Sequence, residues 1–145
     1  EKTAEITGLH GFPQYLTLLF EIDSLILNDD RHLNNIAIIE QDGRDDYCPI
    51  FDNGAGFMSN LQIYSGDIEP RGFIPSIRSR PFNISFNRQV NTVRSLYGQQ
   101  LQIRKFKETE IENMLAPLLE YYPQYLRGII RDRVITCIMI KQKTL

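Results

Sequence analysis

Asp30, Asn35 and Asp52 are the residues of this chain whose types and placing could do chemistry. Asp30 and Asn35 belong to one stretch, Leu27 to Ile39, in which Asn28, Asp29, Asp30, Arg31 and His32 crowd between two apolar runs, Ser24–Leu27 and Ile36–Ile39. A polar loop pinned by apolar elements at both ends holds its side chains in place, and functional groups concentrate on such loops. Carboxylate and amide oxygens are hard donors, and a few of them with positions left open for water and phosphate suit Mg²⁺. A metal held in this way would offset charge on a phosphoryl group in transfer, while a free carboxylate nearby would orient the accepting hydroxyl. The competing reading is structural, because Asp and Asn at element ends also serve as turn formers and caps.

The elements on either side determine whether these residues can meet. Asn35–Glu40 is rich in β-formers, Gln41–Asp46 is a turn cluster, and Tyr47–Asp52 reads as a second strand, weakened by Pro49. A hairpin symmetric about that turn sets Glu40 opposite Tyr47 and therefore Asn35 opposite Asp52. Directly opposed positions lie roughly 5 Å apart, so the hairpin would return Asp52 to the loop that carries Asp30 and Asn35.

Upstream, Glu1–Gly11 reads weakly. Pro13 then suits the first turn of a helix, and Tyr15, Leu16, Leu18, Leu19, Ile22, Leu25 and Ile26 recur at helical steps until Asn28 and Asp29 favour a turn. His10 falls in the weak stretch and takes no role. Asn53–Gly56 reads as a tight bend, and Phe57–Phe82, broken by Gly66, Pro70, Gly72, Pro75 and Pro81, shows no period. Such a stretch is a functional or mobile segment in a compact domain. Its Arg71, Arg78 and Arg80 could hold phosphate or acidic groups, although solvated surface arginines are commoner.

The second half is helical. Val90, Val93, Leu96 and Tyr97 predict a helix stopped by Gly98. Thr109 and Glu112 have the spacing of a capping box ahead of Ile111, Leu115, Leu118 and Leu119. Pro123 opens a last helix with Tyr125, Leu126, Ile129, Ile130, Val134, Ile138 and Met139 as its buried stripe. The expected class is α+β, mainly α-helical, with a small β-hairpin at the site.

Bulk properties narrow the function classes. A chain of 145 residues, 42% apolar and 23% charged, fits a single domain over 1–145 with a core of its own. A net charge of −2 and a pI near 5.7 give no electrostatic case for nucleic acid or an anionic membrane as the main partner. Cys48 and Cys137 form no spacing motif, which suits a reducing, cytoplasmic setting. No run approaches the ~20 apolar residues of a membrane span.

Asp30-Arg31-His32-Leu33-Asn34-Asn35 resembles the D-x-H-x-x-N catalytic loop of HipA-like serine/threonine kinases, and the D-R-H-x-x-N form is also similar to that of phosphoinositide lipid kinases and their protein-kinase relatives. Phe51-Asp52-Asn53-Gly54 resembles the metal-binding Asp motif that follows such a loop after a short hairpin. Arg80-Pro81-Phe82 and Phe86-Asn87-Arg88-Gln89 resemble a Pro-Phe and downstream Gln stretch of HipA-like C-terminal regions. In order, the resemblance spans roughly residues 14 to 140, with the loop and hairpin its specific part. It implies a protein-kinase-like C-terminal lobe. Asp30 would be the catalytic carboxylate, and Asn35 and Asp52 would hold Mg²⁺ and with it ATP. His32 would be the second catalytic residue, orienting the loop or lying near the phosphates, unless it is a loop histidine bonded to backbone. Asp29 would be a turn residue, and Arg31 would tie the loop to a neighbouring carboxylate or carbonyl. The implied activity is Mg-ATP-dependent phosphoryl transfer to a Ser or Thr hydroxyl of a protein, with an antitoxin of a toxin–antitoxin pair as a possible partner and a lipid acceptor as the rival substrate.

A kinase also needs a smaller lobe with a strand lysine and a phosphate-covering loop, and this sequence contains no G-x-G-x-x-G and no strand around Lys2. The chain is therefore expected to correspond to the C-terminal lobe, as a fragment, a truncated form, or a protein whose other lobe a partner supplies. On its own it is expected to bind Mg-ATP weakly and to transfer phosphate slowly or not at all. A non-catalytic kinase-like module that binds a protein partner is the alternative, and a metal-dependent phosphohydrolase is weaker for want of a dense His/Asp set.

Overall fold

The structure is a computed structural model and describes residues 2–145. Its architecture is α+β and mainly helical. In chain order, α1 (Lys2–Thr7) and α2 (Phe12–Ile26) lead into the polar loop, which contains one 3₁₀ turn, Leu33–Asn35. The hairpin β1 (Ile38–Gln41) and β2 (Arg44–Tyr47) follows. After it come α3 (Pro70–Phe73), the two-residue strands β3 (Arg78–Ser79) and β4 (Ile84–Ser85), and then α4 (Phe86–Tyr97), α5 (Glu108–Leu119) and α6 (Gln124–Lys141). The weak opening stretch thus holds a short helix, and Phe57–Phe82 is divided among short helical turns and strands, none longer than four residues.

Helix α2 forms where its period and Pro13 place it. It ends at Leu27, whose left-handed backbone (φ 54°) turns the chain sharply into the loop. Its apolar side packs on α4 and α6, and α5 lies along α6. The core gathers Leu27, Met58, Tyr64, Ile74, Ile77, Phe86 and Cys137, so the residue that ends α2 is itself a core residue. That seating fixes the start of the loop.

Three sequence expectations are corrected. The hairpin pairs Ile38 with Tyr47 and Gln41 with Arg44, a register two residues tighter than a turn spanning Gln41–Asp46 would give. The physical reason is the two-residue turn: Asp42 (φ 54°) and Gly43 (φ 71°) are both left-handed, as a tight primed turn requires. Residues Cys48–Asp52 consequently run outside the ladder as irregular chain. Helix α5 is capped at Lys107, two residues before Thr109, because Glu110 accepts the Lys107 N–H at 2.8 Å and supplies the carboxylate expected of Glu112. Glu112 instead pairs with Arg131 of α6.

On α6 the expected stripe is displaced. Tyr125 is 77% exposed and Leu126, Ile129, Ile130, Val134, Ile138 and Met139 are only half-buried, whereas Arg133, Ile135, Cys137 and Lys141 are buried. Apolar period alone could not find this face, since two of its four residues are cations. The helix stopped by Gly98 does end there, at φ 77°.

Candidate functional site

The site is assembled around Arg31, which is wholly buried. Its Nε and Nη2 donate to the two carboxylate oxygens of Asp23, on α2, at 2.9 and 2.8 Å. Nη2 also reaches Asn53 Oδ1 at 2.7 Å, and Nη1 donates to the carbonyls of Phe51 (2.6 Å) and Asn35 (3.2 Å). One guanidinium thereby binds the helix, the loop and the segment that follows the hairpin. The planar fork of arginine permits this, with a bidentate face for the carboxylate and donors left over for carbonyls.

Asn28 completes the knot. Its Nδ2 donates to Asp23 Oδ1 at 2.9 Å and to the Asp52 carbonyl at 3.4 Å. Burial pushes the Asp23 carboxyl up from its ordinary value, and the hydrogen bonds from Arg31 and Asn28 oppose that shift. Asp29 is likewise tied inward, by a hydrogen bond from the buried Tyr64 hydroxyl. Burial, then the Asp29 carboxylate, drive the Tyr64 phenol upward. The two adjacent aspartates therefore differ: Asp29 is held by the core side, and Asp30 faces solvent.

On the exposed side of this knot the candidate residues come together. Asn35 Nδ2 donates to Asp52 Oδ2 at 2.5 Å and lies 3.5 Å from the Asp30 carbonyl. Asp30 Oδ1 meets His32 Nε2 at 2.6 Å, an exposed pair rather than a histidine bonded to backbone. Asp52 sits at φ 54°, a left-handed conformation uncommon for a residue with a side chain. Such strain persists only where the surroundings over-determine it. Here the Phe51 carbonyl, the Asp52 carbonyl and the Asn53 side chain are all held by Arg31 or Asn28.

Thus Asn35 and Asp52 do meet, although they are not cross-strand partners. Arg31, not the ladder, brings them together. The hairpin is itself seated on α2: the Tyr15 hydroxyl donates to the Cys48 carbonyl at 2.8 Å, and the Tyr15 and Tyr47 rings are 5.6 Å apart. A Cβ at Gly11 would come within 2.7 Å of the Tyr47 hydroxyl oxygen, so a side chain there would displace that hydroxyl.

The donor chemistry fits a hard divalent cation at Asn35 and Asp52. Among the described residues no three His, Cys, Asp or Glu side chains cluster closely enough to hold a metal. With the Asn35 amide turned over, so that Oδ1 and not Nδ2 faces Asp52, a cation at this point would take one carboxylate and one amide oxygen from the protein and the rest of its shell from water or phosphate. That pattern suits Mg²⁺ and not zinc.

The other stretches that accompany the loop are structural. Phe82 stacks edge-on against Phe20 of α2, with ring centroids 6.1 Å apart. Gln89 is buried in α4 and accepts the Ser79 hydroxyl at 2.9 Å, while its own Nε2 has no partner. Arg71, Arg78 and Arg80 are exposed, as is His10. An apolar space of about 360 Å³ between α5 and α6 adjoins Asn53 and Gly54, but none of the carboxylates borders it.

Sequence reasoning missed Asp23, Asn28 and Asn53. A signal for Asp23 was present: it falls on the helical row Leu19–Asp23–Leu27, an acid in a buried stripe with an arginine eight residues on. No helix among the described residues is long and apolar enough to cross a membrane. No protein-family model, curated protein or solved structure matches the chain.

Proposed function

We propose that the chain is a phosphotransferase catalytic lobe of the HipA-like serine/threonine kinase type, working in the cytoplasm on a Ser or Thr hydroxyl of a protein. The observation that carries this reading is the Asn35–Asp52 side-chain contact beside Asp30, on a loop and segment clamped by one buried arginine. Asn35 and Asp52 are the residues that would hold Mg²⁺ and, through it, ATP. When bound, the cation would offset negative charge on the phosphates.

The chain's own residues have separate tasks. Asp30, exposed and with its carbonyl 3.5 Å from the Asn35 amide nitrogen, orients the acceptor hydroxyl and takes up its proton. His32 is a positioning residue, since its Nε2 contact sets the direction of the Asp30 carboxylate. Arg31, Asp23 and Asn28 touch no substrate. They keep the metal-side and acceptor-side groups at a fixed separation, which matters because phosphoryl transfer depends chiefly on positioning and charge.

The test uses Mn²⁺ in place of Mg²⁺ with ADP, since paramagnetic broadening detects even weak binding. The backbone amide signals of Asn35, Asp52 and Asn53 are expected to broaden first in wild type and to remain sharp in Asp52→Asn, with the rest of the spectrum unchanged. Broadening centred elsewhere, or undiminished in Asp52→Asn, would refute the metal assignment. When the chain is assayed with a complete nucleotide pocket, Asp30→Asn is expected to reduce transfer by a factor of at least about 100. Retained transfer would remove Asp30 from the mechanism.

A further inference from the structure

Lys141, the last residue of α6, is buried to 5% exposure, far along the chain from the phosphoryl-transfer residues. Its Nζ donates to Asn87 Oδ1 at 2.8 Å and lies 5.4 Å from the centre of the Phe86 ring. An ammonium has three donors, and among the described residues this one has no carboxylate within ion-pairing distance. The titratable group that acts on it from its own helix is the Cys137 thiol, which burial pushes up to about 12 and so keeps neutral. Among the described residues no acid neutralises the lysine.

Lys141 also lines a cavity of about 220 Å³. Ile74, Ile77, Phe86 and Ile140 are its main apolar walls, and Lys141 is its charged group, beside the polar Asn87, Ser85 and Thr144. One positive charge facing a short apolar chamber matches one negative charge on a short apolar tail. A phosphate or other compact multivalent anion would leave the walls unfilled and its extra charge unmatched.

We propose that this cavity is a binding site for a short-chain monocarboxylate of about four carbons, with Lys141 as its counter-ion and the four apolar residues as the seat of its tail. The proposal is independent of the phosphoryl-transfer reading. Burial holds the free lysine down at about 8; a bound carboxylate raises it, and by linkage the ligand binds best where the lysine is protonated.

Butyrate is the probe, titrated into the whole chain at pH 7 by calorimetry and by thermal unfolding. The expected Kd is on the order of 1 mM, with Tm raised by about 4 °C at ligand tenfold above Kd. Formate, which lacks the tail, and butanol, which lacks the charge, are expected to bind at least about tenfold more weakly. Lys141→Met is expected to abolish the butyrate effect. Should that variant fail to fold, the Lys141 Nζ resonance of wild type provides the second reading, with its titration midpoint moving upward on saturation with butyrate. Absence of saturable butyrate binding, equal binding of formate, or an unmoved Nζ midpoint would each overturn the proposal.

Discussion

Arg31 and Arg133 are both buried, and both hold loops, but their charges are compensated differently. Arg31 meets Asp23 face to face and spends its remaining donors on the carbonyls and amide of the site. Arg133, on α6, donates to the carbonyls of Met58, Tyr64 and Ser65, with no acid among its hydrogen-bond partners. Burial pushes the Arg133 guanidinium below its ordinary value. The first arrangement fixes a constellation, because a bidentate ion pair sets angles as well as distances. The second only gathers three carbonyls, and it holds the segment leading from Met58 to Tyr64, whose hydroxyl then restrains Asp29. The site is therefore rigid on its Arg31 side and supported indirectly on the other.

The largest expected effect tests the ion pair. Arg31→Met leaves Asp23 buried without its cation, and we expect a loss of about 4 kcal/mol in urea unfolding. A double variant with Asp23→Leu should recover much of this, and the coupling from the cycle measures the pair itself. If Arg31→Met costs no more than Arg133→Met, the distinction between the two arginines fails.

Lys141 extends the comparison to a third buried cation, also without an acid. Its folded-state value, about 8, lies below the ordinary 10.5. Below pH 8 both folded and unfolded chains hold the proton, and the cost of burying the charge is present in full. Between about 8 and 10.5 the unfolded chain binds more protons at this lysine, so Lys141 contributes a rise in stability of up to on the order of 3 kcal/mol, opposed above about 9 by the buried Cys137 thiol. Denaturant unfolding of wild type and Lys141→Met at intervals across that window isolates the lysine's contribution as their difference, which should shift in favour of wild type as pH rises. A fall in stability over the same window in wild type, with the Lys141→Met curve parallel to it, would rule out the assignment.

Arg133→Met removes hydrogen bonds but strands no charge, so we expect about 2 kcal/mol, with amide exchange accelerating between Met58 and Ser65 more than around Asp23. The smallest effect belongs to His32→Ala. The pair with Asp30 is solvent-exposed, and its loss should change stability by less than about 1 kcal/mol. A greater loss would mean that His32 supports the fold and does not merely direct the Asp30 carboxylate.

The parts of this molecule legible in the sequence are those governed by neighbours along the chain. Helix α2 and its end near Leu27 and the helix stopped by Gly98 follow from local period, proline, and residues tolerant of left-handed backbone. Asp30, Asn35 and Asp52 were recognisable by type, and their meeting was expected. The reason given for it was wrong, because hairpin register depends on turn length and a two-residue turn shifted the pairing.

Only the tertiary structure decided which polar residues are buried. Asp23 falls on the apolar row of α2, whereas Arg133 and Lys141 lie off the stripe expected for α6, and local pattern by itself does not separate a buried charge from a solvated one there. Burial of a charge is settled by whether distant segments bring a partner, as Arg31 does for Asp23 across eight residues and the Met58–Ser65 carbonyls do for Arg133 across about seventy. The sequence by itself determined the elements and the chemical types available at the loop. Their separation, exposure and electrostatic support came from contacts between segments, because hydrogen bonding and desolvation depend on what is near in space.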